Sequence, residues 1–417
     1  MAKVDLSVEI AGVKFKNPIG ASSGQITKSA AQMRKIVESG AGSITIKSIC
    51  NNPETWKPMS VNADMFFDKY GARGCYMPGG FGVEFLHPDV GVAVIKEAAP
   101  FCKEAGCVLI ASVHTFPEFI DKDIELAKRL EDAGADMLEV LTACPALAGY
   151  ADASYIAISR QGITECTPRI KKALSIPVIC KYRFHDVYFG REMAIEAEAT
   201  GVDALHNGGH IPGTLVNIET GRPFMSLLTS SMKGPYCKYW GNAQMGITAT
   251  TLKSPLPLCS SAGMWTGRDV IERLMCGATI AEIHTAIAYR GYKLFTKMKE
   301  ELENFLERKG YSSVKEIIGM ATPYLQNADD HFNNRLKTFA TKDTPLEDYV
   351  SWGNSKESVE VLIDKGKCNG CGICSICTFL AMTMDDGFPK VNYDLCERCG
   401  TCASICPQDA IKLRAKV

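Results

Sequence analysis

The chain has 417 residues, 46 Lys and Arg against 47 Asp and Glu, a formal net charge of −1, and 46% hydrophobic residues. A balance so near neutral gives no electrostatic case for nucleic acid or an anionic membrane surface, and no stretch approaches the roughly 18 unbroken apolar residues of a membrane span. The length exceeds one ordinary domain and allows a large core with a small appendage.

The N-terminal MAKVDLSVEIAGVKF lacks the basic-then-apolar layout of a secretory signal, so a cytoplasmic protein is expected. From Pro18, β-rich runs alternate with amphipathic stretches. The runs are 18–22, 43–47, 107–113, 136–142, 176–182, 203–209, 255–262 and 278–286. Helical spacing is clear in 28–39, 119–134, 191–201, 267–277 and 292–310. Apolar strands alternating with helices predict an α/β protein whose residues 1–315 form a parallel (β/α)8 TIM barrel. An open doubly wound sheet is the competing fold, and the lack of G-x-G-x-x-G after any strand counts against it. Long connections at 48–100 and 210–254 belong at the C-terminal face, where barrels keep their chemistry. Residues 316–356 read as a linker or covering segment, and 357–417 as a ferredoxin-like domain.

That last domain reads KCNGCGICSIC, a spacer, then CERCGTCASICP. Its cysteines are Cys368, Cys371, Cys374, Cys377, Cys396, Cys399, Cys402 and Cys406. The second run, C-x2-C-x2-C-x3-C-P, has the spacing of two-cluster bacterial ferredoxins, in which the fourth cysteine serves the other cluster. The implied sharing gives Cys368, Cys371, Cys374 and Cys406 to one [4Fe-4S] cluster. Cys396, Cys399, Cys402 and Cys377 hold the other. The first run departs from the pattern, because only two residues precede Cys377 and no proline follows it. Zinc ribbons and disulfides are the alternatives, although zinc sites use CxxC pairs rather than two runs of four. Of the 18 cysteines, the ten outside these runs stand singly, and those in apolar strands, such as Cys180 and Cys259, read as small core residues. Cluster chemistry points to a reducing compartment.

The strand ends carry Ser22 and Ser23, Lys47, His114, Thr142 with Cys144, Lys181, His206 with Asn207, and Thr285. A single lysine at a strand end can snorkel to the rim, but two facing one pocket suggest an anionic or electron-rich ligand. Ser261-Ala262-Gly263 and His284-Thr285-Ala286 fall where barrels bind phosphate through backbone N–H groups. A phosphate site, two lysines and an attached cluster domain together suggest FMN, which takes a hydride and releases electrons singly to iron–sulfur clusters. Four of the seven histidines, His114, His185, His206 and His210, follow strands three, five and six. Each alone reads as a satisfied structural group; together they are candidate substrate contacts. Arg183, two residues after Lys181 in ICKYRFHD, is the candidate partner for a substrate carboxylate, with Asp186 as its competing protein partner.

DLSVEIAGVKFKNPIGASSG, TIKS, EAGADMLEV…CP and the strand-five lysine resemble the dihydroorotate and dihydropyrimidine dehydrogenase family. With the double cluster run, the likeness is to the FMN and iron–sulfur subunits of its bacterial NAD-dependent dihydropyrimidine dehydrogenases. The resemblance implies isoalloxazine contacts from Ala21, Ser22, Ser23, Lys47, Ser48 and Lys181. It implies phosphate contacts from Ala262, Gly263, Thr285 and Ala286, with alanine replacing a glycine in each pair. It also places Cys144 as the catalytic acid or base, in a stretch where the family's N-x-S-C-P-N reads Leu141-Thr142-Ala143-Cys144-Pro145-Ala146. Both asparagines of that motif are lost, and such groups read the amide edge of a pyrimidine. The expected activity is therefore reduction or formation of a carbon–carbon double bond next to a carbonyl-like group of a small, carboxylated or cyclic substrate. No nicotinamide site is visible, so a separate partner is expected, either a NAD- or FAD-binding flavoprotein subunit or a ferredoxin, in a homo-oligomer or heteromer. Two readings stay open beside this one: uracil or thymine reduction, and an electron-transfer subunit whose barrel has lost its own chemistry.

Overall fold

The computed structural model describes residues 4–56, 66–67, 75–76, 85–142, 157, 159–183, 187–208, 211–213, 216–223, 230–325 and 359–415. The chain divides into two compact units, Met1–Leu325 and Gln326–Val417.

The first unit opens with an antiparallel hairpin, Val8–Ile10 against Val13–Phe15. Eight parallel strands follow: β1 (Ile19–Ala21), β2 (Ser43–Thr45), β3 (Val108–His114), β4 (Met137–Leu141), β5 (Val178–Arg183), β6 (Ala204–Gly208), β7 (Leu258–Ser260) and β8 (Ile280–Ile283). Each pairs with its neighbour in sequence; β8 returns to β1, and Ser43, Ile44 and Thr45 of β2 lie beside Val108, Leu109 and Ile110 of β3, which completes a closed ring. The strands are near-continuous apolar runs because both their faces are covered, as in any all-parallel sheet; all seven residues of β3 are buried.

The outer helices are α1 (Ala30–Glu38), α2 (Pro88–Glu104), α3 (Ile120–Asp132), α4 (Thr167–Ala173), α5 (Val187–Ala199), α6 (Cys237–Thr251), α7 (Gly267–Met275) and α8 (Leu294–Lys309). Capping boxes start two of them, Ser29 with Gln32 at α1 and Thr266 with Asp269 at α7, and such caps contribute about 1 kcal/mol each. The connections expected at 48–100 and 210–254 are not loops throughout, since α2 and α6 occupy parts of them. Their helical period is faint in the sequence. Helix α2 is apolar on several sides and contains Gly91 and Pro100, and α6 contains Gly241, Gly246 and three threonines. Packing on the barrel overrides these poor propensities. Gly241 is required by that packing, because a Cβ there would lie 2.2 Å from Nη2 of Arg273. Among the described residues no helix is long and apolar enough to cross a membrane.

In the second unit, Val359–Ile363 pairs antiparallel with Ile411–Ala415, and Met382–Asp385 with Phe388–Val391. Its buried cluster is small: Val361, Cys374, Met382, Ile411 and Leu413. Domains of this size rarely hold together on so little apolar burial and commonly add a metal or disulfide staple.

Candidate active site

Barrel interiors are usually filled by layers of branched apolar side chains. Here one inner layer is polar. Glu139 on β4 is fully buried, with Nζ of Lys181 (β5) 3.1 and 3.2 Å from its two oxygens. Nδ1 of His206 (β6) lies 2.6 Å from Oε2 of Glu139 and 3.7 Å from Oε2 of Glu282 on β8. Thr45 donates to Glu282 at 2.7 Å, and Ser112 of β3 donates to Glu139 at 2.9 Å. Burial alone would raise the Glu139 carboxyl, but Lys181 and His206 outweigh it and hold the group well below the usual carboxylate range. Hydroxyls extend the layer, with Ser112 Oγ 3.0 Å from Ser48 Oγ and that 3.0 Å from Ser23 Oγ.

Two residues further along their strands, toward the C-terminal mouth, stand Lys47, His114 and His284. His114 is 1% exposed, and neither ring nitrogen has a hydrogen-bond partner. Its ring packs edge-on to Phe85 at 5.1 Å and tilted on Phe116 at 4.5 Å. Burial first, then the Lys47 charge, lowers it to about 3. Nε2 of His284 is also without a partner, and a Cβ on Gly24 would meet it at 2.1 Å. Burial, then Lys233, Lys47 and Lys181, lowers His284 to about 3 as well. Several ammonium groups thus surround neutral imidazoles with unused polar atoms, a donor set that fits an anionic, hydrogen-bonding cofactor such as a flavin phosphate ester.

The neutral state of His114 has a measurable consequence. The unfolded chain takes up this proton near pH 6.5, the folded chain only near 3. The stability it contributes is complete above pH 6.5 and is lost as pH falls toward 3, by about 2 kcal/mol at pH 5. Urea titrations at pH 7 and 5 are expected to show that loss in the native protein and to show it reduced by about the same amount in His114→Phe. An unchanged pH dependence in the variant would contradict the assignment.

The remaining expected site residues are placed as follows. Ala21 and Ser22 are buried at the end of β1, and the Ser22 N–H donates to the Ile283 carbonyl at 3.0 Å. Thr142 is buried, its N–H and hydroxyl both directed to the Lys181 carbonyl at 3.0 and 3.1 Å. Asn207 is not brought together with the lysines. Strand alternation turns it toward the helix layer, where Nδ2 donates to Thr248 of α6 at 3.0 Å. Tyr182 points the same way, its hydroxyl 3.3 Å from Thr248 Oγ1. Ala262 and Gly263 follow β7 with φ of 91° and 78°, and Thr285 and Ala286 begin a short helix, Thr285–Arg290. Arg183 closes β5. Cys144, His185 and His210 lie outside the described residues.

A residue that the pattern of the sequence did not single out braces the Ala262-Gly263 turn. Arg273 of α7 is fully buried and makes five hydrogen bonds, to Asn242 Oδ1, Ser260 Oγ and the carbonyls of Ser261, Ala262 and Lys238. Burial lowers it to about 10. Glu139 and Glu282 were missed too, although a carboxylate inside an apolar strand run is itself a signal.

In the second unit none of the eight cysteines of the two runs is in a disulfide. Cys374 is raised by burial and by the nearby Cys371, Cys368 and Cys406, and Cys402 by burial and by Cys396 and Cys399 among others. Cys374, Cys377, Cys396, Cys399 and Cys402 line one cavity. Tetrahedral zinc would draw its sulfurs to about 3.8 Å of one another. Among the described residues no three thiols converge within 4.8 Å; the one such group of potential ligands is Glu139, His206 and Glu282.

Over residues 5–306 the chain matches the family described as dihydroorotate dehydrogenase, and over residues 389–412 the 4Fe-4S binding domain. It is similar to the protein named dihydroorotate dehydrogenase B (NAD(+)), catalytic subunit, of Caldicellulosiruptor saccharolyticus, at 29% identity over 76% of this chain and 99% of that protein. The like-named proteins of Pyrococcus abyssi and Methanocaldococcus jannaschii are 28% and 26% identical, over 76% and 77% of this chain and 99% of each relative. About a quarter of this chain therefore has no counterpart in them. Among solved structures, DHODH from Eimeria tenella in complex with ferulenol superposes with a TM-score of 0.57 at 21% identity, over 76% of this chain and 88% of that one, which shows the shared barrel fold.

Proposed function

The chain belongs to the dihydroorotate dehydrogenase family, as an FMN-type oxidoreductase of CH–CH bonds with a 4Fe-4S motif, and from that premise we propose that it interconverts a carbon–carbon double bond and its reduced form beside a carbonyl-like group of a small carboxylated substrate. The polar mouth layer carries this reading: Lys47, Lys181 and Lys233 stand around His284, Lys47 stands near His114, and Nε2 of His284 and both ring nitrogens of His114 lack partners. Ala21, Ser22, Ser23, Lys47, Ser48 and Lys181 would hold the flavin ring, and the backbone of Ala262, Gly263, Thr285 and Ala286 its phosphate. FMN supplies hydride exchange and single-electron release to clusters. Cys144 moves the substrate proton. Two [4Fe-4S] clusters, one on Cys368, Cys371, Cys374 and Cys406 and one on Cys377, Cys396, Cys399 and Cys402, carry electrons to or from a partner flavoprotein subunit or ferredoxin. That the relatives are named catalytic subunits supports a second protein in the electron path.

The carboxylate rests on Arg183, two residues beyond Lys181 in β5 and in register with Gly208 of β6. A lost charge-assisted bond costs about 1.5–3 kcal/mol, so Arg183→Ala is expected to raise KM for unsaturated acids about ten- to a hundredfold, with Arg183→Lys in between. Assays against charged and neutral unsaturated compounds check it. Unchanged KM in both variants, or a preference of the native enzyme for neutral rings such as uracil, would overturn the assignment.

A further inference from the structure

The inner layer carries an unbalanced charge. Glu139 and Glu282 are both buried carboxylates, while among the described residues Lys181 is the one ammonium paired with either. Oε1 of Glu282 accepts from Thr45, but Oε2 has no hydrogen-bond partner and faces His206. With His206 neutral, one negative charge stands uncompensated in the centre of the barrel, an expensive arrangement. One further proton balances it. The layer accepts that proton without moving a heavy atom. His206 Nδ1 already lies between the two carboxylates, and Nε2 is 3.3 Å from Ser261 Oγ, a hydroxyl that can donate or accept. A hydroxyl chain leads outward from Glu139 through Ser112 and Ser48 to Ser23. Around His206 the titratable groups are Glu139 of β4, Lys181 of β5, Cys259 of β7 and Glu282 of β8. The Cys259 thiol is pushed up by burial and by both carboxylates.

We propose that this layer stores one exchangeable proton and couples its uptake to reduction of the cofactor held above Lys181, a reading that rests on the FMN assignment. Two electrons, from the substrate or from the electron partner, add negative charge beside Lys181. One proton from water enters along Ser23, Ser48 and Ser112 to Glu139 and is held among the Glu139 and Glu282 carboxylates and His206 Nδ1. Only O–H and N–H bonds exchange, and the proton leaves by the same route on reoxidation.

The test is potentiometric titration of the flavin in the full-length holoprotein between pH 6 and 9, for the native chain, Glu282→Gln and His206→Asn. One extra proton per two electrons makes the native midpoint fall about 30 mV per pH unit more steeply than in either variant. Equal slopes would overturn the proposal, as would a stoichiometric cation other than iron that is released by Glu282→Gln. If His206→Asn does not fold, the near-isosteric Glu282→Gln carries the comparison. Purified protein without flavin would refute the FMN assignment instead. The layer is then read by 15N-histidine spectra of the same protein, where a signal that titrates and shifts with Glu282→Gln supports the store, and one that does neither refutes it.

Discussion

Cys144→Ala is expected to slow substrate turnover by a factor on the order of 10²–10⁴, the span for loss of a positioned general acid or base. Strand β4 precedes this part of the chain. It buries Glu139 against Lys181, ends at Leu141, and is tied by the two Thr142 bonds to the Lys181 carbonyl. Cys144 follows two residues later, beside Pro145, in a stretch that resembles the family's acid–base motif in its cysteine and proline and lacks both asparagines. A thiol that only packs would give a small effect on turnover. Reduction of the flavin by the electron partner does not need this proton and should survive the substitution. Stopped-flow measurement of the two half-reactions separates them. Unchanged turnover would move the role to His185 or His210.

Arg273→Met is expected to have the largest effect on the barrel itself. The guanidinium is fully buried and its hydrogen bonds hold three carbonyls, at Lys238, Ser261 and Ala262. A buried acceptor left unpaired costs about 1–3 kcal/mol, so the sum rivals the roughly 5–15 kcal/mol that holds a domain together. Arg273→Lys is no remedy, because an ammonium cannot span the fork's contacts. The melting temperature should fall by roughly 10–20 °C, with flavin lost before the fold, since the Ala262-Gly263 turn is what the arginine braces. A variant with native melting and native flavin content would show that the turn does not depend on it.

The barrel was legible because parallel strands buried on both faces must be apolar, and β3, β4 and β5 fall within such runs. Helices α2 and α6 were not, since Gly91, Pro100, Gly241 and Gly246 blur the helical period that packing then imposes. The second cysteine run was legible because the ligands of a 4Fe-4S motif lie a few residues apart in sequence. The inner layer is different. Glu139, His206 and Glu282 come from three strands, and only the closure of the ring brings them together. Asn207 shows the limit of reading strand ends by position. One residue from His206, it faces α6 instead of the barrel interior, because direction along a strand alternates at every step. Arg273 looked like one more charge on an amphipathic helix, and nothing local marks it as facing inward.

The central claim, a flavin barrel wired to two clusters, is tested most directly by iron, acid-labile sulfide and flavin analysis of the anaerobically purified protein. Two clusters and one flavin correspond to about eight irons and eight sulfides per chain and one FMN, with no FAD. About four irons would show that the irregular run ending at Cys377 does not complete its cluster, and FAD or no flavin at all would contradict the assignment of the barrel.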